Sequence, residues 1–242
     1  MELTVLGCSG SYGAPPAGAC SGYLVRGGGA AVWVDCGNGT LPHLMQHTSI
    51  DDLTAVVLTH QHPDHCSDIY GLHVLMRYGL ERAGLPVFAP EGLEERLGGL
   101  VDGWGDTFDW KVVGDGDGVE IADMALRFSR TDHPPPTYAV ELRAEGKRLV
   151  YTADTGPGWT VGAFDRGADL VLSEATYQEG HKGVPWHLTA SEAGRDAREA
   201  GASRLILTHL WPMLDRIASV RQGTEAFGEP VTLATPHLVT RV

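Results

Sequence analysis

The chain has 242 residues, of which 43% are hydrophobic, so it can bury a complete core and is neither disordered nor fibrous. Its 31 acidic residues outnumber the 18 basic ones, and the formal charge of -13 has the wrong sign for a broad surface that holds nucleic acid. No apolar run approaches the about 20 residues of a membrane-spanning helix, and the N-terminus lacks the basic region and cleavage site of a signal peptide. We therefore expect a cytoplasmic protein that makes no contact with a membrane.

Short β-rich runs alternate with helical patterns along the whole chain, and glycine and proline separate them. In the first half we predict strands at about 3–6, 23–25, 31–34 and 55–58, and helices at about 39–46 and 66–79. In the second half we predict strands at about 124–129, 138–142, 149–152, 170–172 and 205–207, and helices at about 189–200 and 213–227. No linker interrupts this pattern, so we predict one domain, 1–242, built from two similar halves of about 1–118 and 119–242.

Two sequence echoes relate the halves. The segment V-W-V-D-C-G at 32–37 resembles L-V-Y-T-A-D-T-G at 149–156, because each runs from a strand to an aspartate and then a glycine. Likewise, the V-L-T-H that ends at His60 echoes the I-L-T-H that ends at His209. Polar residues at matching strand ends predict two sheets packed face to face, with loops from both meeting at one edge.

The stretch T-H-Q-H-P-D-H-C at 59–66 crowds metal-capable side chains onto that edge. His60 and His62 can point the same way from an extended segment, while Asp64 and His65 follow around the turn into a helix. Four ligands at this spacing do not suit one small tetrahedral ion, so a pair of adjacent ions is the economical interpretation. Imidazole with carboxylate favours zinc, with manganese or iron as alternatives. A chance histidine-rich turn is the competing interpretation.

A two-metal site also needs ligands from distant parts of the chain. His133 follows a predicted strand and precedes three prolines, Asp154 follows Y-T-A, and His209 follows L-I-L-T. Each of these residues stands at a strand end, where a site between two sheets requires it.

The motifs H-Q-H-P-D-H, T-A-D-T-G, S-E-A-T-Y, H-L-T-A-S-E-A-G and L-I-L-T-H resemble those of the metallo-β-lactamase superfamily, and the pattern is most similar to its ribonuclease Z-like branch. With V-L-G-C-S-G-S, S-G-Y-L-V and V-D-C-G-N-G-T, the resemblance covers essentially the whole chain. The compact length and the H-x-D-H-C-x-D-I-x-G-L segment resemble small actinobacterial-type members that hydrolyse cyclic nucleotides.

The resemblance implies an α/β fold, a four-layer αβ/βα sandwich. It implies one zinc ion on His60, His62 and His133, a second on Asp64, His65 and His209, and Asp154 bridging them. The catalytic residues that it implies are Asp64, Glu174 and His187.

The resemblance implies that Glu174 and His187 act together, as such a Glu and His do in ribonuclease Z-like enzymes. Hydrolysis of a phosphodiester must protonate a departing alkoxide, and a histidine oriented by a carboxylate can supply that proton. The alternative interpretation makes His187 a helix-capping neighbour and Glu174 a surface carboxylate.

We therefore expect a metal-dependent phosphodiesterase that cleaves a small, cyclic-nucleotide-like substrate. Against tRNA 3′ processing by a ribonuclease Z stand the net charge and the lack of a basic, glycine-rich insertion, so we do not expect extended nucleic acid as a partner. An acyl hydrolase of the thioesterase, lactonase or glyoxalase type is a second alternative, against which the Glu174 and His187 pair argues. The sequence leaves open whether the protein forms a homodimer.

The remaining histidines and tryptophans receive simpler interpretations. We do not expect ligands at His43, His47, His73 or His237. His181 is a candidate for the mouth of the site. Trp186 and Trp211, which flank His187 and His209, are candidates for stacking a nucleobase, although buried tryptophans are usually packing residues.

Overall fold

In the computed structural model, which describes residues 1–181 and 183–242, fourteen strands follow one another along the described chain. They are β1 (Glu2–Gly7), β2 (Gly22–Gly27), β3 (Ala30–Val34), β4 (Ala55–Val57), β5 (Leu85–Ala89), β6 (Phe108–Val112), β7 (Gly118–Ile121), β8 (Met124–Arg130), β9 (Tyr138–Ala144), β10 (Lys147–Tyr151), β11 (Leu170–Glu174), β12 (Leu205–Thr208), β13 (Thr232–Leu233) and β14 (Val239–Arg241).

Across the described ranges, six α-helices accompany the strands. They are α1 (Thr40–His47), α2 (Pro63–Cys66), α3 (Ile69–Val74), α4 (Leu93–Gly98), α5 (Ala190–Glu199) and α6 (Arg216–Phe227). Their ends follow local chemistry: Thr189 and Glu192 form a reciprocal capping box at the start of α5, and Asp215 accepts a hydrogen bond from the Ile217 amide at the start of α6. Gly228, with a φ of 90°, ends α6 in the left-handed conformation that glycine adopts without strain.

The strands form two seven-stranded sheets of matching design. The first has the order β14-β1-β2-β3-β4-β5-β6 and the second β13-β12-β11-β10-β9-β8-β7. In each sheet three antiparallel pairings give way to three parallel ones, at β3 in the first sheet and at β10 in the second. The last strand, β14, lies beside β1 in the first sheet, although it belongs to the second half of the sequence.

Three apolar cores separate four layers. One core lies between the sheets and joins residues such as Val5 and Tyr23 of the first sheet to Leu142 and Leu172 of the second. A second packs the first sheet against α1, α3 and α4, and a third packs the second sheet against α5 and α6. The predicted αβ/βα sandwich is confirmed, since helices cover the outer face of each sheet.

The structure also shows elements that the sequence patterns did not reveal. These are β5, β6, β7, β13, β14 and α4. The predicted helix at 66–79 is instead divided into α2, α3 and a wide helical turn at Leu75–Leu80. All four cysteines are buried free thiols. Among the described residues, no helix combines the length and the apolar character needed to cross a membrane.

Candidate metal centre

The seven residues predicted as metal ligands meet at one edge of the sandwich, beyond the C-terminal ends of strands from both sheets. His60 and His62 follow β4, Asp64 and His65 lie in α2, and His133, Asp154 and His209 follow β8, β10 and β12. Parallel strands end on the same side of a sheet, which explains why residues so far apart in sequence converge.

The first group of ligand atoms consists of His60 Nε2, His62 Nδ1, His133 Nε2 and Asp154 Oδ2. His62 Nδ1 lies 3.1 Å from His60 Nε2 and 3.2 Å from His133 Nε2. Asp154 Oδ2 lies 3.6 Å from His60 Nε2 and 3.9 Å from His133 Nε2. A tetrahedral zinc ion with bonds of about 2.0–2.1 Å separates its ligand atoms by about 3.4 Å, so these spacings match such an ion.

The second group consists of Asp64, His65 and His209, with the other oxygen of Asp154 beside them. Asp64 Oδ2 lies 3.1 Å from His209 Nε2 and 3.5 Å from His65 Nε2. Asp154 Oδ1 lies 3.3 Å from His65 Nε2 and 3.5 Å from His209 Nε2. Asp154 therefore offers one oxygen to each group.

Two buried atoms of the second group test whether a cation fits. His65 Nε2 and Asp154 Oδ1 are buried and have no hydrogen-bond partner, although a buried polar atom left in this way costs about 1–3 kcal/mol. A cation between them would satisfy both a bare imidazole nitrogen and a carboxylate oxygen. The donor set, nitrogen and oxygen, is that of zinc and similar divalent metals, so these residues fit a metal ion.

Hydrogen bonds on the far side of the imidazoles point the ligand nitrogens at the site. The Nδ1 atom of His60 lies 3.0 Å from Thr59 Oγ1, and that of His133 lies 3.0 Å from the Trp186 carbonyl oxygen. The Nδ1 atom of His209 lies 2.8 Å from Thr176 Oγ1. A ring that uses Nδ1 in this way presents Nε2 to a metal, as is usual for metal-binding histidines.

Asp35 is the residue behind the site that sequence reasoning missed. Its carboxylate is fully buried, and Oδ2 lies 2.7 Å from His65 Nδ1 and accepts from the Tyr151 hydroxyl at 3.0 Å. Its Oδ1 accepts from the amide of Thr59 at 2.9 Å. The signal was present in the sequence, because the V-D-C-G echo placed Asp35 at a strand end equivalent to that of Asp154.

Glu174 and His187 form a buried pair beside the second group. His187 Nδ1 lies 2.8 Å from Glu174 Oε1, and the Glu174 carboxylate also accepts from the amides of Thr155 and Thr176 at 3.0 Å. The His187 ring stacks on that of His209 with centroids 5.5 Å apart. The alternative in which Glu174 is a surface carboxylate is wrong, since Glu174 is completely buried.

His187 could itself be read as a ligand, because one of its ring nitrogens lies within 4.8 Å of ligand atoms of Asp154 and His209. Burial by itself would lower the pKa of His187, but the charge and the hydrogen bond of Glu174 outweigh burial and raise the pKa to about 9. The Glu174 pairing therefore favours a proton carrier at this position.

The surroundings lower the pKa values of the histidines in the first group and raise the pKa of one histidine in the second group. Burial and neighbouring imidazoles hold the pKa values of His60, His62 and His133 below the usual histidine range, which keeps these rings neutral and able to bind metal. For His65, burial is outweighed by the carboxylates of Asp154, Asp64 and Asp35, which raise its pKa well above that range. Carboxylates that favour a proton on His65 also favour a cation beside it.

The other histidines and tryptophans singled out in the sequence do not belong to these ligand groups. His43, His47 and His237 contact one another at a separate surface, where His47 Nε2 lies 2.9 Å from His237 Nδ1. His73 is buried against Trp104, and His181 is exposed. Contact of Trp186 or Trp211 with a substrate stays a prediction.

Comparison with known proteins agrees with this geometry. Residues 30–210 match the family model of the β-lactamase superfamily domain. The uncharacterised protein ML1173 of Mycobacterium leprae is 34% identical over 96% of this chain and 85% of its own length. The probable metallo-hydrolase YhfI of Bacillus subtilis is 33% identical over 87% of both chains, and its crystal structure superposes on 99% of both chains with a TM-score of 0.89 and 29% identity. The ribonuclease Z of Methanopyrus kandleri is 30% identical over 91% of both chains.

Proposed function

Since the chain belongs to the β-lactamase superfamily, and to its ribonuclease Z-like branch of metallo-hydrolases, we propose that it is a phosphodiesterase with two divalent metal ions, zinc by preference. Its substrate is a small nucleotide phosphodiester such as a cyclic nucleotide, and its setting is the cytoplasm. The observation that carries the proposal is the division of the Asp154 oxygens between two complete ligand groups.

Each ligand group would hold one of the two ions. His60, His62 and His133 would hold one ion, and Asp64, His65 and His209 the other, with Asp154 between them. When bound there, the ions would supply hydroxide at neutral pH and would offset the charge on the phosphoryl oxygens. Asp154 sets the spacing of the two groups because its carboxylate is buried and turns one oxygen towards each.

His187 supplies the proton that the leaving group needs. Glu174 accepts the Nδ1–H of His187 and favours the imidazolium, so the second proton, on Nε2, is available to a departing sugar alkoxide. Three amide donors, those of Thr155, Thr176 and Leu188, and the Thr176 hydroxyl hold Glu174 in turn, which leaves the pair little freedom to rotate. A departing thiolate needs no such proton, and this distinction favours a phosphodiester over a thioester.

The net negative charge of the chain favours a small substrate over a long nucleic acid. With a formal charge of -13, the chain is poorly suited to bind a long polyanion, whereas a single phosphodiester can be held by the metal centre alone. The second candidate function is endoribonuclease cleavage, which the similarity to the Methanopyrus kandleri ribonuclease Z favours, because a ribonuclease also cleaves a phosphodiester.

A substrate panel separates these functions. Zinc- and manganese-loaded protein is assayed with 2′,3′- and 3′,5′-cyclic nucleotides, bis(p-nitrophenyl) phosphate, a tRNA precursor and a thioester. We expect the cyclic nucleotides to give the highest kcat/KM. Preference for the tRNA precursor would establish the endoribonuclease instead, and preference for the thioester would overturn the phosphodiesterase.

The leaving group tests the role of His187. His187→Ala should keep both metal ions and lose about 10²- to 10⁴-fold in rate on a cyclic nucleotide, whose alkoxide is strongly basic. The loss should shrink with bis(p-nitrophenyl) phosphate, since p-nitrophenolate departs without a proton, and the ratio of the two effects isolates acid catalysis from binding. Glu174→Gln should show the same dependence more weakly. Loss of metal from His187→Ala, or equal slowing of both substrates, would show that His187 is not the acid.

A further inference from the structure

Three aromatic side chains, Tyr12, Tyr177 and Trp211, form a cluster that begins beside His187. The Tyr177 ring meets the His187 ring edge to face at 5.9 Å between centroids. Trp211 follows at 6.4 Å from Tyr177, and Tyr12 meets Trp211 edge to face at 5.6 Å. The cluster therefore leads away from His187 one ring at a time.

The backbone fixes this aromatic cluster relative to the metal centre. The Trp211 amide donates to the Thr176 carbonyl at 3.1 Å, and Thr176 also contacts His209. The amide of Ser11, next to Tyr12, donates to Asp64 Oδ2 at 2.9 Å, so the backbone beside Tyr12 is joined to a ligand residue of the second group. Rings held in this way lose little conformational entropy when a ligand packs on them.

The outer end of the aromatic cluster is open to solvent. Tyr12 is 40% exposed, and Tyr177 and Trp211 are partly buried. Trp186 is equally exposed, at 42%, but among the described residues no other ring packs against it. Of the two tryptophans near the site, only Trp211 is thus supported by neighbouring rings.

We propose that the aromatic cluster of Tyr12, Tyr177 and Trp211 is a nucleobase-binding site that selects nucleotides over other small phosphodiesters. This inference rests on the phosphodiesterase proposal. A nucleotide carries its base one sugar away from the phosphate, and the cluster begins one ring away from the proposed acid. Every base has a π-face, so stacking on these rings recognises a nucleobase without reading its hydrogen-bonding edge. The substrate class is therefore a nucleoside phosphodiester, with weak discrimination among the four bases.

The experiment compares two substrates that differ only in the base. Purified metal-loaded protein is assayed with a nucleoside 2′,3′-cyclic phosphate and with 1-O-methylribose 2,3-cyclic phosphate, which keeps the reacting phosphodiester and lacks the base. Stacking on aromatic side chains predicts that the wild type prefers the nucleotide by about 5- to 150-fold in kcat/KM. We expect Trp211→Leu to reduce this preference to near unity, mainly through a higher KM for the nucleotide.

Tyr12→Leu provides a second variant, because Tyr12 lies at the surface and its replacement leaves the core intact; it should reduce the same preference several-fold. Trp186→Leu tests the other tryptophan near the site and should keep the wild-type preference, because no neighbouring ring among the described residues supports Trp186. An equal preference in the wild type and Trp211→Leu, or a loss in Trp186→Leu alone, would overturn the site. Hydrolysis of both substrates at equal kcat/KM by the wild type would overturn the base-binding site while sparing the phosphodiesterase. Failure to hydrolyse these two substrates and every other phosphodiester of the panel would overturn both.

Discussion

Asp35 allows a direct test of how the residues behind the ligands control metal binding. Its carboxylate accepts hydrogen bonds from the Thr59 amide on Oδ1 and from the Tyr151 hydroxyl on Oδ2, and Oδ2 lies 2.7 Å from His65 Nδ1. Asp35→Asn preserves the size and shape of the side chain. The Asn oxygen can keep the Thr59 amide bond, which then turns the Asn NH2 group towards His65.

That NH2 group reverses the hydrogen bond that His65 makes. Nδ1 of His65 must now accept, so its proton moves to Nε2, the atom that faces Asp64 and Asp154 at 3.5 and 3.3 Å. A protonated Nε2 cannot bind metal. Loss of a partner behind a metal ligand typically costs 10- to 100-fold in affinity, about 1.4 to 2.7 kcal/mol. The Tyr151 hydroxyl can rotate to accept from the new NH2 group, so the fold should survive.

Competition with a chromophoric chelator measures both affinities in the metal-loaded protein. We expect Asp35→Asn to weaken one zinc ion 10- to 100-fold and to leave the other within a few-fold of the wild type. Asp68→Asn is the matched control, since the Asp68 carboxylate accepts from the Leu41 amide at 2.7 Å and, within the described part of the chain, makes no hydrogen bond to a ligand residue. Equal affinities for both ions in Asp35→Asn and the wild type would refute the assignment of His65 Nε2 as a ligand.

Three further predictions concern the metal content and the stability of the fold. Elemental analysis should find close to two zinc-like ions per chain. Asp154→Ala should lose at least one ion and all turnover while remaining folded, because both groups share this carboxylate. Full activity in that variant would contradict the ligand assignment. Glu141→Ala should destabilise the protein by about 1–3 kcal/mol in urea unfolding without changing metal content. The buried carboxylate pairs with Arg143 at 2.8 Å and Arg148 at 2.6 Å, and both guanidinium groups are partly exposed, so water can replace part of what they lose. Burial of Asp196 raises its pKa from 3.8 to about 6. Between these pH values the native state therefore binds more protons than the unfolded state. The free energy of unfolding should fall by about 2 kcal/mol as the pH rises from 3.8 to about 6. Asp196→Asn should abolish this fall while still accepting from the Val161 amide, and an unchanged pH profile would contradict the pKa.

The sequence predicted the parts of the fold and site that depend on local pattern. Residues 59–66 are contiguous, so their proximity needed no knowledge of tertiary structure, and His133, Asp154 and His209 were recognisable because each follows an apolar strand. Strands β6 and β7 were missed because solvent reaches much of both, which removes the apolar signal. The role of Thr176 was also hidden, because its contact with His209 joins segments 33 residues apart through two neighbouring strands.

Backbone conformation at the strand ends explains why the ligands converge as they do. Asp35, Ala153 and His209 all have positive φ values, 57°, 51° and 55°, at the ends of β3, β10 and β12. Each such residue costs about 1–3 kcal/mol unless its surroundings hold it in place. The sheets provide that support, for example through the Asp35 amide, which donates to the Val57 carbonyl at 2.8 Å in the neighbouring strand. The left-handed turns redirect the chain sharply at the sheet edge, so the sheets stabilise the strained ligand geometry before any metal binds.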